Sequence, residues 1–267
     1  MLYLLKLGGS LITEKTRPHT SRTETLERLG LEISVALKEQ PGLQLIIGHG
    51  SGSFGHVAAN KYHTRQGVQS AEQWQGFAEV WQEARALNQI VVEVLCRAGL
   101  PIIAFPPSAC ALAKEGQVQD WNPRLLLSAL EAAMVPLING DVAFDQSWGG
   151  TILSTEDLFC HLAPALDARR ILLAGLEAGV WADFPVCTRL IPKITPRTYK
   201  QLSQSLGGST AVDVTGGMFQ KVNSMLSLTE KLPNLQALIF SGEKPGQVYQ
   251  ALTGKNPGTL ICNDNNY

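Results

Sequence analysis

This sequence has few extremes, and each thing it lacks removes a class of explanation. Its 267 residues carry 22 basic and 23 acidic side chains. That balance gives no overall attraction to nucleic acid or to an anionic membrane, so any positive patch must be local. The five cysteines, Cys96, Cys110, Cys160, Cys187 and Cys262, are odd in number and never form a C-x-x-C pair. Reduced thiols in a cytosolic protein are expected, not a zinc site or a disulfide framework. No apolar run approaches the ~18 residues of a membrane span. The opening MLYLLKLGGS is broken by Lys6 and has no basic flank, so a signal peptide is not expected. There is no internal repeat, low-complexity tract or long linker.

Short β-rich runs alternate with longer helical patterns. Strands are expected at Leu2–Leu7, Leu43–Ile47, Pro101–Ala104, Val135–Asn139, Arg170–Ala174, Ala237–Phe240 and Gly258–Ile261. Between them Leu26, Leu29, Ile33 and Leu37 recur at helical spacing, with Thr23 or Ser21 as the cap. Further helices are expected over Ala71–Ala98, Pro123–Ala133, Ser154–Leu166, Pro196–Leu206, Thr215–Lys231 and Gln247–Leu252. Such alternation predicts an α/β fold, a three-layer αβα sandwich on a mostly parallel central sheet, with ligands at the carboxyl ends of the strands. The softest boundary, near Ala163–Ala168, divides the chain into lobes 1–165 and 166–267 on one continuous sheet.

Glycine concentrates at three turns. Residues 50–55, GSGSFG, follow a strand and precede a helix-compatible segment that starts at His56. A dinucleotide fingerprint would want a strand with a terminal acid about 20 residues on, and a P-loop would want Lys-Ser/Thr; here a long helix begins near Glu72 and His56-Val57 closes the loop. The physics is shared nonetheless: glycine lets backbone N–H groups point at an anion, and a helix N-terminus adds partial positive charge. His56 closes that loop, where it could donate to a phosphate oxygen. His49 could equally serve the loop's own backbone, and His19, His63 and His161 have no comparable context.

The second turn, LKLGGSLITEK, holds Lys6 inside an apolar strand on the same face as Leu4, so its ammonium must reach a site or a partner. Lys15 follows in the loop. In the third, VDVTGGMFQKV, Thr215 can cap a helix beginning at Gly216 and Gly217, and Lys221 leans back towards its start. Three such turns with lysines and a histidine fit a polyphosphate held between two lobes. A charge pair at 4 Å and effective dielectric ~20 is worth about 4 kcal/mol, and phosphoryl transfer asks chiefly for positioning and charge neutralisation.

The blocks LKLGGSLITEK (5–15), GHGSGSFGH (48–56), INGDVAFD (138–145) and DVTGGMFQK (213–221) resemble the amino acid kinase superfamily, and within it the isopentenyl phosphate kinases, nearly end to end. The histidine ending the glycine loop is the discriminating feature. The resemblance implies a cytosolic, homodimeric kinase using ATP and Mg²⁺, with isopentenyl phosphate as acceptor. By position, Lys6, Leu7, Gly8, Gly9 and Ser10 would contact ATP phosphates and Lys15 would stabilise the transition state. Ser51, Gly55 and His56 would bind the acceptor phosphate, with Thr155 as a further substrate contact. Gly52, Gly216, Gly217 and Lys221 would hold the nucleotide, and Asp157 would orient the lysines. Three positions depart from the family. HGGG or HGAG is His49-Gly50-Ser51-Gly52 here, and SGDD is Ser154-Thr155-Glu156-Asp157. TDVDGVY is AGLEAGVW at 174–181, losing both aspartates and leaving Glu177 to compensate. The prenyl tail is expected along the 71–98 helix, near Phe77, Leu87 and Val91. Two alternatives remain: a kinase for a phosphonate such as fosfomycin or another small phosphomonoester, and a non-catalytic phosphometabolite sensor.

Overall fold

A computed structural model of the chain describes residues 1–205 and 216–264; some side chains, His56 among them, fall outside that description, as do Thr215 and Leu206. The chain opens with β1 (Leu2–Leu7), the short α1 (Gly9–Ile12), α2 (Thr23–Glu39), β2 (Gln44–His49) and α3 (His56–Tyr62). A 3-10 turn at Thr64–Gln66 leads to α4 (Ala71–Arg97), β3 (Ile102–Ala104), α5 (Pro107–Cys110), β4 (Ala111–Lys114), β5 (Gln117–Trp121) and α6 (Arg124–Glu131). Then come β6 (Val135–Asn139), β7 (Asp141–Asp145), β8 (Gly149–Leu153), α7 (Thr155–Ala165) and β9 (Arg170–Gly175). Three short strands follow, β10 (Val180–Trp181), β11 (Leu190–Ile191) and β12 (Lys193–Ile194), and then α8 (Pro196–Ser205). The last elements are α9 (Gly216–Lys231), β13 (Gln236–Ser241), α10 (Gln247–Leu252) and β14 (Gly258–Cys262).

Eight strands form one sheet in the order β12-β14-β13-β9-β1-β2-β6-β3. Its pairings are parallel except for β13 with β14. A central parallel strand is buried on both faces and therefore reads as an apolar run without alternation, which is how β1 reads. Its even residues Leu2 and Leu4 join Phe159, Leu162 and Met225 of α7 and α9. Its odd residues Tyr3, Leu5 and Leu7 join Leu29, Ile33, Leu87 and Val91 of α2 and α4. These are the three layers expected. No helix among the described residues is long and apolar enough to cross a membrane.

The helix starts are settled locally. Ser70 with Gln73 and Ser154 with Asp157 form reciprocal capping boxes on α4 and α7. At α2 neither expected residue caps. Arg22 takes the N-cap position without a side-chain bond, its guanidinium paired instead with Glu243 and Glu14.

A second sheet, β5-β4-β7-β8, was not expected from the sequence. β4 and β5 are joined at Glu115 and Gly116, both at positive φ (+53° and +75°), the twist a two-residue hairpin needs. Asn or Asp usually fills the first of those positions, and glutamate gives no such signal. The turn is held from outside by Asp145, whose carboxylate accepts the backbone N–H groups of Glu115, Gly116, Ser147 and Trp148 at 2.8–3.2 Å. Burial pushes this carboxyl up, but the four donors hold it net below the usual aspartate value. Asp145→Ala should therefore cost about 2 kcal/mol in urea unfolding at neutral pH. The wild-type advantage is present above the unfolded value of about 3.9 and is lost as pH falls through the lower folded value. An unfolding midpoint unaltered by the substitution would contradict this.

Candidate active site

Strand register brings the glycine turns to one rim. Lys6 lies opposite Gly48 and Leu7 opposite His49, while His49 lies opposite Asn139. The chain thus leaves β1, β2 and β6 side by side, at Gly8-Gly9, Gly50 and Gly140-Asp141. A cavity of about 460 Å³ opens there. Of the expected site residues, Lys6, Gly9, Ser10, Ser51, Gly52, Gly55 and Thr155 line it.

The first two turns meet backbone to backbone. A Cβ on Gly9 would sit 2.4 Å from the nitrogen of Gly52. One on Gly52, at φ +54°, would sit 2.1 Å from Thr13 Oγ1. The Thr13 hydroxyl donates to Gly9 O and accepts the Ser53 N–H, both at 2.8 Å. Thr13 therefore sets the spacing of the two turns, a role that a lone threonine in a loop does not advertise in sequence. Gly55, at φ +76°, is the N-cap of α3, and His56 is its first residue. The His56 imidazole lies outside the described side chains. His49 is buried, with Nε2 3.0 Å from Asn88 Oδ1 and Nδ1 3.2 Å from Gly50 O. Burial lowers its pKa, and it serves the loop's own backbone.

Lys6 emerges on the Leu4 face, where α7 and α9 pack, and there forms an ion pair with Glu156. This corrects the expectation for Asp157. Asp157 is the third residue of α7 and must turn back to its cap: Oδ2 accepts Ser154 N–H at 2.9 Å and an Arg65 guanidinium N–H at 3.2 Å. Glu156, one residue earlier and one methylene longer, points at β1. Burial pushes the Glu156 carboxyl up, but Lys6 and then Lys221 hold it net below the ordinary glutamate value. Lys221 is pulled below the usual lysine value by burial, with Glu156 opposing and Lys6 and Lys15 adding repulsion. Three lysines and one glutamate thus share one electrostatic neighbourhood.

Leu7, Gly8, Lys15 and Gly217 stand outside the cavity wall. Leu7 is core, and its carbonyl accepts the Gly50 N–H at 3.1 Å. Gly8 packs on the backbone at Ala174. Lys15 is exposed on a turn, Gly216 begins α9, and Gly217 follows with open space around it. Thr155 lines the cavity, yet its hydroxyl donates to His49 O at 2.6 Å. Glu177 meets Trp181 Nε1 at 3.4 Å in the exposed segment after β9.

Sequence reasoning missed the apolar lining of the cavity. Its wall is Ala59, Val80, Ala84 and Ile152, not the expected trio. Phe77 stands behind that wall, in one small cluster with Val80, Ala59 and Ile152, whereas Leu87 and Val91 lie in the sheet core. Helical spacing cannot tell which apolar face of α4 meets a cavity, and alanine gives no signal. His63 and Arg65 also line the cavity, from a turn that looked featureless. Among the described residues no group of three His, Cys, Asp or Glu side chains could hold a metal ion.

A family model described as the amino acid kinase family matches residues 1–241. The isopentenyl phosphate kinase of Methanocaldococcus jannaschii is 31% identical over 267 residues, covering 98% of each chain. That of Methanothermobacter thermautotrophicus is 33% identical over 272 residues, covering 97% of this chain and 98% of the relative. A solved isopentenyl phosphate kinase structure superposes with a TM-score of 0.82 at 30% identity, covering 98% of this chain and 100% of the other.

Proposed function

Because the chain belongs to the amino acid kinase family, we propose that it transfers the γ-phosphoryl group of ATP to isopentenyl phosphate, giving isopentenyl diphosphate. The supporting observation is a cavity lined by two unlike kinds of group. Glycine turns and the Lys6–Glu156 pair line it, and so do the apolar side chains of Ala59, Val80, Ala84 and Ile152. An anion with an apolar tail needs both.

Residues 1–165 form the acceptor lobe and 166–267 the nucleotide lobe. Lys6 through Ser10, with Gly52, hold the ATP phosphates from one side; Gly216, Gly217 and Lys221 hold them from the other. Ser51, Gly55 and the His56 imidazole hold the acceptor phosphate, and Thr155 fixes the floor beneath it. Glu156 takes the orienting role towards Lys6. Lys6, Lys15 and Lys221 neutralise charge on the migrating group. The acceptor oxygen is already anionic near neutral pH, so no strong general base is required. Lysines and glycine amides are donors for a polyphosphate that carries its own Mg²⁺, while the one glutamate beside them is already paired with Lys6. Scattered free cysteines suit the cytosol, and a homodimer is what the family resemblance implies.

A comparative turnover assay on isopentenyl phosphate, dimethylallyl phosphate and fosfomycin tests the reading. The prenyl phosphates should be phosphorylated, and turnover of fosfomycin alone would replace this reading with that of a phosphonate kinase. His56→Ala should lose at least about 10²-fold in acceptor kcat/KM with an unchanged circular dichroism spectrum. Wild-type kinetics in that variant would remove His56 from the site.

A further inference from the structure

Asp141 has no part in the reaction outlined above. It begins β7, directly after Gly140 on the cavity rim, and lines the cavity while being 2% exposed. Its Oδ1 accepts the Val142 N–H at 2.8 Å and its Oδ2 the Ser108 hydroxyl at 3.0 Å. No cation pairs with it among the described residues, whereas the other charged groups of this region are matched. Lys6 meets Glu156, Arg65 meets Asp157, and Glu83 of α4 meets His19.

α4 packs on β7 with Glu79, Glu83 and Arg85 engaged by Lys61, His19 and the Trp81 ring, and the other elements packed there bring little else that titrates. α5 offers Cys110, whose thiol burial pushes up, and β8 has no ionisable side chain. β4 carries Lys114 next to the opposite end of β7, where Ala113 lies beside Asp145. His49 of β2 is near through its carbonyl, which accepts the Gly140 N–H, and burial lowers its pKa. His63 stands at the cavity mouth. A buried carboxylate without a cation, facing a cavity built for an anion, is an electrostatic contradiction while it is charged.

We propose that Asp141 couples acceptor binding to proton uptake: the cavity takes a phosphate monoester with the Asp141 carboxyl neutral, and expels it when that carboxyl ionises. The inference rests on the acceptor reading above. Burial raises Asp141 to about 7, against the Val142 and Ser108 hydrogen bonds. The group therefore changes charge near neutral pH. The proton comes from solvent, is held on the carboxyl while the acceptor is bound, and takes no part in phosphoryl transfer. Asp141 is a positioning residue that acts on affinity, so its signature lies in KM and its pH profile.

The test compares acceptor KM for wild type and Asp141→Asn between pH 6 and 9, using isopentenyl phosphate. The ratio of wild-type to variant KM should rise roughly tenfold per pH unit above the Asp141 value. Titration of the substrate or of a histidine affects both proteins and cancels in that ratio. Ser108→Ala removes a donor to the charged carboxylate. It should move the rise in KM to higher pH, and this keeps the question answerable if the asparagine variant folds poorly. A ratio that is flat with pH, or a Ser108→Ala profile superimposable on wild type, overturns the proposal. Absence of turnover in wild type at every pH would instead overturn the acceptor reading.

Discussion

Lys6→Met is expected to abolish useful kinase activity, lowering kcat by about 10³-fold. A charge pair at about 4 Å in an environment of dielectric ~20 is worth about 4 kcal/mol, and each 1.36 kcal/mol is about a tenfold change in rate. The same change also disturbs folding, because Glu156 loses its ion-pair partner. In wild type the depressed Glu156 value adds stability above the unfolded glutamate value of about 4.3, lost as pH falls through the folded value. In Lys6→Met burial prevails and raises the folded value, so stability is lost as pH rises above about 4.3. The variant should trail wild type by up to about 3 kcal/mol at pH 7 and draw level towards pH 4. Adding Glu156→Gln should restore stability at pH 7 without restoring turnover. Chemical denaturation with single-turnover kinetics reads both, and recovery of activity in the double variant would show that Lys6 only neutralises Glu156.

Gly52→Ala should be nearly as damaging, by a different route. The residue sits at φ +54°, which costs a non-glycine residue about 1–2 kcal/mol, and its new methyl would fall 2.1 Å from Thr13 Oγ1. Because Thr13 bridges Gly9 O and Ser53 N–H, the loop cannot yield without shifting both glycine turns. A displacement of 1 Å in a phosphate cradle is worth about 10²-fold in kcat/KM. Thr13→Ala on that background removes the two Thr13 contacts and should recover part of the loss, though the strain at φ +54° and a 2.7 Å approach to Gly9 O remain. No recovery would mean that backbone strain and the Gly9 O contact account for the defect without Thr13.

The sequence disclosed the fold wherever one local rule governs an element. The unalternating β1 reads as a buried strand, and Lys6 within it had to reach a site or a partner. Both readings follow from burial on two faces. The β5-β4-β7-β8 sheet was invisible because its decisive device, Asp145 holding the turn at Glu115 and Gly116, connects segments about thirty residues apart. The candidate site divided likewise. Glycine turns announce themselves through composition, so Gly9, Ser51 and Gly52 could be found. Choosing between Glu156 and Asp157 required knowing that the aspartate is spent on a helix cap. Asp141 and the Val80–Ala84 wall became legible only once β7 and α4 were set against each other.

The position of β1 bears on how the chain comes to be made. This strand is synthesised before both of its neighbours, β2 and β9, and β9 in turn waits for β13. A ribosome emitting the chain therefore presents one flank of an apolar parallel strand for more than a hundred residues before its mate arrives. Unpaired edges of that kind invite association between nascent copies. Assembly of this enzyme in the cell is accordingly a race between elongation through β9 and capture of that waiting flank by chaperone or neighbour.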